Sequence, residues 1–462
     1  PFGAEGPSIA TGGAMGSFLG QVLRVTAVER KALLAAGAAA GMAAVFGSPV
    51  SAVVLVVELL LFELRPRTLI PVVLAATTAT GVRYAMVGSA PIFAMHDVLA
   101  PGGFALACYI ALGALIGLVS VGVTWAVYAV EDAFDTLPLH WMWWPAIGGI
   151  AVGVIGYFAP LTLGVGYTNI EGIVTGRFTL TALAMLCAMK FLSWVIALGS
   201  GTSGGTLAPL FTIGGALGSV IGIGIMTIAP QAGIDPRIAG LVGMAAMFAG
   251  SSRAMLASVV FAFETTQQPL GLLPLLGGCG AAYLISCLTM RNTIMTEKIA
   301  RRGVRVPSEY AADYLEQITV GIACSRDVVT LRAEQLLRDV RDWLNSGKPE
   351  AHHQGFPVID GDGIVKGVLT RRALLDPQAN IDAPIVDLIR RPPLVVQEDH
   401  SLREAADHMV RENVGRLIVV GSDEPHPLIG IVTRGDLLAA HGKRLSEATE
   451  SKRHLRMRKR KP

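Results

Sequence analysis

Residues 12–17 read GGAMGS, and residues 214–219 repeat them as GGALGS at an offset of 202. Two more pairs share this offset: GMAAVF at 41–46 with GMAAMF at 243–248, and GAEGP at 3–7 with GTLAP at 205–209. Small residues that pack helices can produce one such match by chance, but three in one register are not expected. The sequence therefore predicts a two-fold structural repeat.

Both repeats lie in the apolar part of the chain. Of 462 residues, 52% are hydrophobic and 16% are charged. Residues 1–300 hold 24 of the 73 Asp, Glu, Lys and Arg residues, and residues 301–462 hold the other 49. A soluble core cannot absorb the first part, and a bilayer would not accept the second. This distribution excludes a purely soluble enzyme and predicts an integral membrane domain followed by a soluble domain.

The apolar segments are short and are interrupted by Gly or Pro, as in GSP at 47–49 and GSGTSGG at 199–205. Transporter cores use broken helices of this kind where helix ends line a cavity, so the repeat predicts a transport site between corresponding breaks. In the second repeat, apolar segments at 143–163 and 178–199 precede the GTLAP motif. In the first repeat, nothing equivalent precedes the GAEGP motif. We therefore expect the chain to be an N-terminally truncated fragment.

The soluble part is itself a tandem. Residues 356–371 match residues 417–434, from FPVID to GVLTR in one copy and from LIVV to GIVTR in the other. Each copy is typical of two short strands followed by a helix, with an amphipathic helix before them at 333–344 or 401–411. The last 20 residues hold nine Lys or Arg. A basic tail beside a polytopic membrane domain marks the cytoplasmic side more often than a nucleic-acid binding site.

Glu5 stands among small residues where a helix is expected to begin, with Pro7 in its first turn. A helix start presents unpaired N–H groups and the positive end of a dipole, so it binds anions, and a nearby carboxylate can occupy the same place. Glu5 could equally be an ordinary N-terminal glutamate that the dipole favours. Residue type alone leaves both interpretations open.

GAEGP at 3–7 resembles the gating-glutamate motif of the CLC family of voltage-gated chloride channels and transporters. GTLAP at 205–209 resembles the second anion-binding motif of that family, with Leu207 at a position that is usually Phe. Glu58 and Glu264 fall where the family ends its paired helices, and the C-terminal tandem is similar to the CBS pair of many CLC proteins. The resemblance implies an all-α polytopic membrane domain with inverted repeats, followed by an α/β tandem CBS module.

The resemblance also implies which residues form the anion path. Glu5 would be the gate, a carboxylate that plugs the outer side in place of the ion and leaves when it is protonated or displaced. Backbone N–H groups of Thr206 and Leu207 would face chloride, because a fixed Lys or Arg would hold the ion too long for turnover. The implied anion-binding residues are Gly3, Gly6, Pro7, Gly205, Thr206, Leu207, Ala208, Pro209 and Met295.

Three departures from the family pattern bear on proton coupling. The central serine motif would belong to the missing segment, the central tyrosine aligns with Met295, and the inner glutamate falls on Leu59. Glu63, about one helical turn further on, could relay protons. The nearby Arg65 favours instead the interpretation that Glu63 is an ion-paired residue at the membrane interface. We therefore predict channel-like, glutamate-gated chloride transport with weak or absent proton counter-transport. The alternative is a chloride/proton antiporter.

Two rival classes of protein fit the sequence poorly. GTSG at 201–204 resembles the Gly-x-Ser-Gly motif of rhomboid serine proteases, but that chemistry needs a histidine base, and no His lies within 141–351. A CBS-bearing cation channel, the remote alternative, would need several carboxylates together. The intramembrane acids Glu5, Glu58 and Glu264 are few and far apart in the sequence. We therefore expect no enzymatic activity.

GIVTRGD at 430–436 resembles the CBS segment that holds an adenine nucleotide. The resemblance implies Thr433 near a phosphate and Asp436 on the ribose hydroxyls. The first copy has Thr370 but Ala373 at the Asp position, so at most one good, weak site for ATP, ADP or AMP is expected. Asp436 could instead simply cap its helix. No cofactor is expected to be required.

The predicted domains follow from these boundaries. They are a CLC-type membrane anion-transport domain at 1–300, a linker at 301–317, CBS domains at 318–378 and 379–442, and a basic, disordered tail at 443–462. The expected partners are chloride ions, membrane lipid and a second copy in a homodimer, since small-residue faces permit close helix packing. No nucleic acid and no metal are expected. We expect a multi-pass protein of a bacterial inner or plasma membrane with cytoplasmic CBS domains.

Overall fold

The computed structural model describes residues 1–303, 314–422 and 427–442. The chain divides into two compact units, Pro1–Tyr310 and Ala311–Pro462. In the described residues the first unit, here called the membrane unit, is helical, and the second contains two three-stranded sheets. The predicted fold class is confirmed. Most of the predicted linker and the whole predicted tail at 443–462 lie outside the described residues.

The helices of the membrane unit vary widely in length. They are α1 (Glu5–Val22), α2 (Ala27–Phe46), α3 (Pro49–Val56), α4 (Pro66–Val87), α5 (Gly103–Asp135), α6 (Trp144–Phe158), α7 (Tyr167–Val174), α8 (Leu180–Gly199), α9 (Leu207–Ile228), α10 (Pro236–Ser252), α11 (Met255–Thr266), α12 (Leu272–Thr289) and α13 (Glu297–Arg301). Within the described ranges, six helical segments are long and apolar enough to cross a membrane: Pro66–Val87, Gly103–Asp135, Trp141–Phe158, Leu180–Gly199, Leu207–Ile228 and Pro269–Thr289.

The repeat is visible in how the helices pair. Helix α1 packs on α2, and α9 packs on α10. A Cβ atom on Gly214 would overlap the carbonyl oxygen of Gly243, and a Cβ on Gly243 would overlap that of Gly214. Gly12 and Gly37 stand in the same mutual relation between α1 and α2. The paired backbones therefore touch, which requires glycine at both crossings. Gly12 and Gly214 are equivalent in the repeat, whereas their partners are not, because Gly37 corresponds to Ala239.

Helices α3 and α11 are a second repeated pair, and they pack against each other. Glu264, near the end of α11, accepts hydrogen bonds from the backbone N–H groups of Val50 at 3.0 Å and Ser51 at 2.7 Å. These N–H groups belong to the first turn of α3, where a helix has no internal acceptors for them. The carboxylate thus caps the start of α3 and complements its dipole.

The opposite contact has the same form. Helix α3 continues into a π-helical turn, Val57–Leu61. In this turn Glu58 accepts hydrogen bonds from the N–H groups of Leu256 at 3.1 Å and Ala257 at 2.9 Å, at the start of α11. Glu58 and Glu264 are 206 residues apart, as are Val50 and Leu256. Each helix of the pair is therefore capped by the carboxylate of the other.

The second unit repeats one small motif. Its elements are α14 (Tyr314–Gln317), α15 (Val320–Ala323), β1 (Leu331–Arg332), α16 (Leu337–Leu344), β2 (Gly355–Ile359), β3 (Val365–Thr370), α17 (Arg371–Leu374), β4 (Val395–Gln397), α18 (Leu402–Arg411), β5 (Arg416–Val420) and β6 (Leu428–Thr433), and residues 434–442 are also helical. Strand β2 pairs in parallel with β1 and antiparallel with β3, and β5 pairs likewise with β4 and β6. The sequence predicts the antiparallel pairs, the helices α16 and α18, and a helix after each strand pair. It does not predict β1 and β4, because they are too short to show a strand pattern.

We predict that Glu264→Ala lowers the melting temperature of the purified protein, because the N–H groups of Val50 and Ser51 lose their acceptor. Leaving such groups unpaired costs about 2 kcal/mol or more. The control is Glu171→Ala, which removes a solvent-exposed ion pair with Arg177 at 3.0 Å and is expected to cost less than about 1 kcal/mol. Equal melting temperatures for the two variants would contradict the capping role.

Candidate functional site

The Glu5 side chain lies in the first turn of α1 and is 1% exposed. Its Oε1 accepts a hydrogen bond from the backbone N–H of Ala208, in the first turn of α9, at 2.7 Å. Its Oε2 accepts a longer one from the Tyr167 hydroxyl at 3.4 Å. The carboxylate therefore occupies the start of α9, where unpaired N–H groups and the helix dipole favour an anion.

Glycines make room for this carboxylate. A Cβ atom on Gly3 would overlap both carboxylate oxygens of Glu5, and a Cβ on Gly205 would lie 2.9 Å from Oε1. Gly6 in turn lies against Gly205, where an added Cβ would come within 2.9 Å of the Cα atom. The two motifs found in the sequence thus meet in space, and their small residues allow α1 and α9 to begin side by side.

The other residues of the two motifs surround this contact. Thr206 precedes α9, Leu207 is its first residue, and Pro209 lies in its first turn. Leu207 and Pro209 are buried, whereas Pro7 in α1 is exposed. The N–H group that reaches Glu5 belongs to Ala208, one residue beyond the two for which a backbone role is predicted. The anion-binding roles of all these residues stay predictions.

Met295 lies between α12 and α13, where its N–H donates to the Thr293 hydroxyl at 3.2 Å. The hydroxyl that contacts Glu5 belongs instead to Tyr167, which the sequence does not single out. Tyr167 begins α7 directly after Gly166, whose φ of 88° is in the left-handed region. The break at residues 164–166 is visible in the sequence, but the direction of the tyrosine that follows it is not.

Lys190 is the second residue that sequence reasoning misses. It lies in the apolar helix α8, is 0% exposed, and donates a hydrogen bond from Nζ to the carbonyl oxygen of Thr162 at 3.0 Å. It is close enough to Glu5 for the two charges to interact. The sequence predicts an anion path without a fixed cation, whereas the structure places one nearby. A lone lysine in a membrane-spanning segment is itself a signal of function.

Glu63 lies between the π-helical turn and α4. Its Oε2 forms an ion pair with Nε of Arg65 at 3.7 Å, and its side chain is 27% exposed. Leu59, at the position of the family's inner glutamate, packs against the apolar core of the membrane unit. The ion pair agrees with the interpretation of Glu63 as a paired interfacial residue. The relay role of Glu63 stays a prediction.

In the second unit, Asp436 has a structural partner. Its Oδ2 accepts hydrogen bonds from the N–H and the hydroxyl of Thr433, both at 2.8 Å, at the start of helix 434–442. This is the arrangement of a helix cap. A cleft of about 260 Å³ lies beside the other copy's Thr370. Its polar lining includes Thr370, Arg391, Asn413 and Arg416.

A helical membrane unit with repeated broken helices, and a buried carboxylate on a helix start that suits an anion, is the architecture of an anion transporter. Residues 1–287 match the family model described as voltage gated chloride channel, and residues 318–379 and 385–443 match that of the CBS domain. The protein therefore belongs to the voltage-gated chloride channel (CLC) family and carries two CBS domains. This is a family of transporters and channels rather than of enzymes.

Known relatives agree with this assignment. Chloride channel protein CLC-f of Arabidopsis thaliana is 28% identical over 440 residues, which cover 83% of this chain and 56% of that protein. The H(+)/Cl(-) exchange transporter ClcA of Vibrio vulnificus strain YJ016 is 30% identical over 324 residues, covering 65% and 68%. The chain thus spans between about half and two thirds of these relatives. The X-ray structure of a slow cyanobacterial Cl-/H+ antiporter superposes with a TM-score of 0.60 at 26% identity, covering 65% of this chain and 72% of that one.

We predict that Glu5→Gln raises anion flux in the full-length protein and flattens its dependence on external pH. Glutamine has the size of glutamate, but it carries no charge for the start of α9 to hold and cannot titrate. Chloride efflux from liposomes at several values of external pH measures both effects. Tyr167→Phe, which removes only the 3.4 Å contact, is the control and should keep a pH-dependent flux. An unchanged pH dependence in Glu5→Gln would show that Glu5 is not the gate.

Proposed function

We propose that the protein exchanges chloride for protons across a membrane, along a path that Glu5 gates. The observation that supports this most is the Glu5 carboxylate on the N–H of Ala208. A protonated Glu5 is neutral and loses its attraction to the start of α9, so that chloride can take the vacated N–H group. Proton binding and chloride binding then influence each other through one site, and exchange requires such a linkage.

The relatives support exchange over channel-like transport. The Vibrio vulnificus protein and the cyanobacterial structure are described as proton/chloride exchangers, and the Arabidopsis thaliana protein as a channel. The channel-like prediction rests on Leu59 and Met295, which offer neither a carboxylate nor a hydroxyl. The Tyr167 hydroxyl beside Glu5 supplies a polar group that this reasoning leaves out. We therefore prefer the antiporter alternative to the channel-like prediction.

The remaining expectations from the sequence belong to the same proposal. The protein works as a homodimer in a bacterial inner or plasma membrane, with cytoplasmic CBS domains. The domain boundaries proposed from the sequence, 318–378 and 379–442, lie close to the matched CBS segments at 318–379 and 385–443. Within one subunit, close glycine contacts such as that of Gly214 with Gly243 support the tight helix packing of the membrane unit.

Exchange is tested by reconstituting the full-length protein in liposomes with a chloride gradient and no proton gradient. We predict that chloride moving down its gradient drives protons uphill. Glu63→Gln should slow proton movement if Glu63 is the inner relay, while chloride flux continues. Glu171→Gln, which alters another ion-paired glutamate, is the control and should leave both fluxes unchanged. Chloride flux with no proton movement in the unmodified protein would contradict exchange and favour the channel-like alternative.

We propose that the CBS pair binds an adenine nucleotide in the cleft beside Thr370. Arg391 and Arg416 line this cleft, and arginine forms strong, charge-assisted hydrogen bonds with phosphate. The sequence predicts Thr433 and Asp436 as the better site, but Asp436 already accepts two hydrogen bonds from Thr433. The two sites can be separated by mutation.

We predict that Arg391→Ala or Arg416→Ala weakens ATP, ADP or AMP binding about tenfold, because each removes a charged partner of the phosphates. Titration calorimetry on the full-length protein measures the affinity. Arg372→Ala, an exposed arginine next to the Thr370 motif, is the control and should bind as the unmodified protein does. Binding that survives both substitutions but is lost in Asp436→Ala would place the nucleotide at Thr433 instead.

A further inference from the structure

Lys190 is a buried cation with few partners. It is 0% exposed, and its Nζ donates one hydrogen bond, to the carbonyl oxygen of Thr162. Among the residues that the structure describes, no carboxylate lies within ion-pair distance of it. A charge buried without a counter-charge is unfavourable by several kcal/mol in a low-dielectric interior. The position of Lys190 therefore calls for a negative charge nearby.

The carboxylate whose charge acts on Lys190 is that of Glu5. The Lys190 ammonium lies beside Gly166, where an added Cβ atom would be 3.4 Å from Nζ. Gly166 immediately precedes Tyr167, whose hydroxyl contacts the Glu5 carboxylate. Lys190 and Glu5 interact electrostatically without forming a direct ion pair. They are thus two opposite charges in one buried region, each with its own hydrogen-bond partners.

The same face of α8 bears two further polar groups. Ser193 and Trp194, three and four residues beyond Lys190, are both buried. Within the described part of the chain, the Ser193 hydroxyl and the Trp194 ring N–H have no hydrogen-bond partner. Residues at this spacing share one side of a helix. The Trp194 ring N–H can only donate a hydrogen bond and the Ser193 hydroxyl can donate one, so this side of α8 offers unused donors to a neighbouring anion.

We infer that Lys190 is the fixed counter-charge of the anion path. It keeps the buried region neutral by requiring one negative charge at the start of α9, supplied by the Glu5 carboxylate or by chloride. When Glu5 is protonated or displaced, the uncompensated ammonium favours the entry of chloride. Lys190 is a positioning residue, because it acts on the ion through its field and not through contact. This inference rests on the proposed function, since it assumes that chloride binds where Glu5 lies.

The test uses chloride-dependent melting of the purified full-length protein, because a ligand that binds the folded state raises its melting temperature. Chloride is titrated against gluconate at constant ionic strength. In Glu5→Gln the site lacks its carboxylate, so we expect the melting temperature to rise with chloride. Adding Lys190→Met removes the charge and keeps an unbranched side chain, and should raise the apparent Kd for chloride about tenfold or more. Glu5→Gln/Lys190→Arg keeps the charge and should retain most of the affinity.

The matched control is Glu5→Gln/Lys31→Met. Lys31 also donates one hydrogen bond to a backbone carbonyl, that of Leu61 at 2.9 Å, but it is exposed. We expect this variant to bind chloride as Glu5→Gln does. Equal chloride affinity in Glu5→Gln and Glu5→Gln/Lys190→Met would overturn the role of Lys190 and leave the proposed anion site intact. So would an equal loss in the Lys190→Met and Lys190→Arg variants, because packing would then explain the effect. A Glu5→Gln protein whose melting does not respond to chloride would overturn the proposed anion site itself.

Discussion

A helix that begins within a membrane protein needs acceptors for its first N–H groups, because lipid offers none. In this protein, carboxylates of the opposite repeat meet that need at three helix starts. Glu264 caps α3, Glu58 caps α11, and Glu5 caps α9. Neither repeat can satisfy these helix starts alone, so the two halves of the membrane unit depend on each other. The proposed anion site is one of these caps.

The three caps are not equally strong. Glu58 and Glu264 each accept two backbone hydrogen bonds between 2.7 and 3.1 Å. Glu5 accepts one backbone hydrogen bond at 2.7 Å and a weak one from Tyr167 at 3.4 Å. The same chemistry therefore yields two caps with two backbone donors each and one cap, that of Glu5, with a single backbone donor and a weaker hydroxyl. The Glu5 cap is the one that we propose chloride can replace.

The repeat explains how much of this could be predicted from the sequence. The offset of 202 identifies the GAEGP and GTLAP motifs as equivalent, and hence Glu5 and the start of α9 as parts of one site. Tyr167 and Lys190 could not be placed in this way, because the offset of 202 assigns neither of them an equivalent among residues 1–462 that shares their role. Their positions beside the site depend on how α7 and α8 pack against α9. Asp436 was open to two interpretations, since a helix cap and a ribose ligand require the same residue type.

The equivalence of the repeats stops at one position. The offset of 202 places Leu207 where the first repeat has Glu5, and Leu207 is 5% exposed. Because the Glu5 carboxylate already lies on the N–H of Ala208, a carboxylate at residue 207 would bring two like charges into one buried region. A scaffold with two-fold pseudosymmetry can thus accept only one such acid where its halves meet. Electrostatic repulsion therefore keeps the two repeats chemically different at this position, although their backbones are alike.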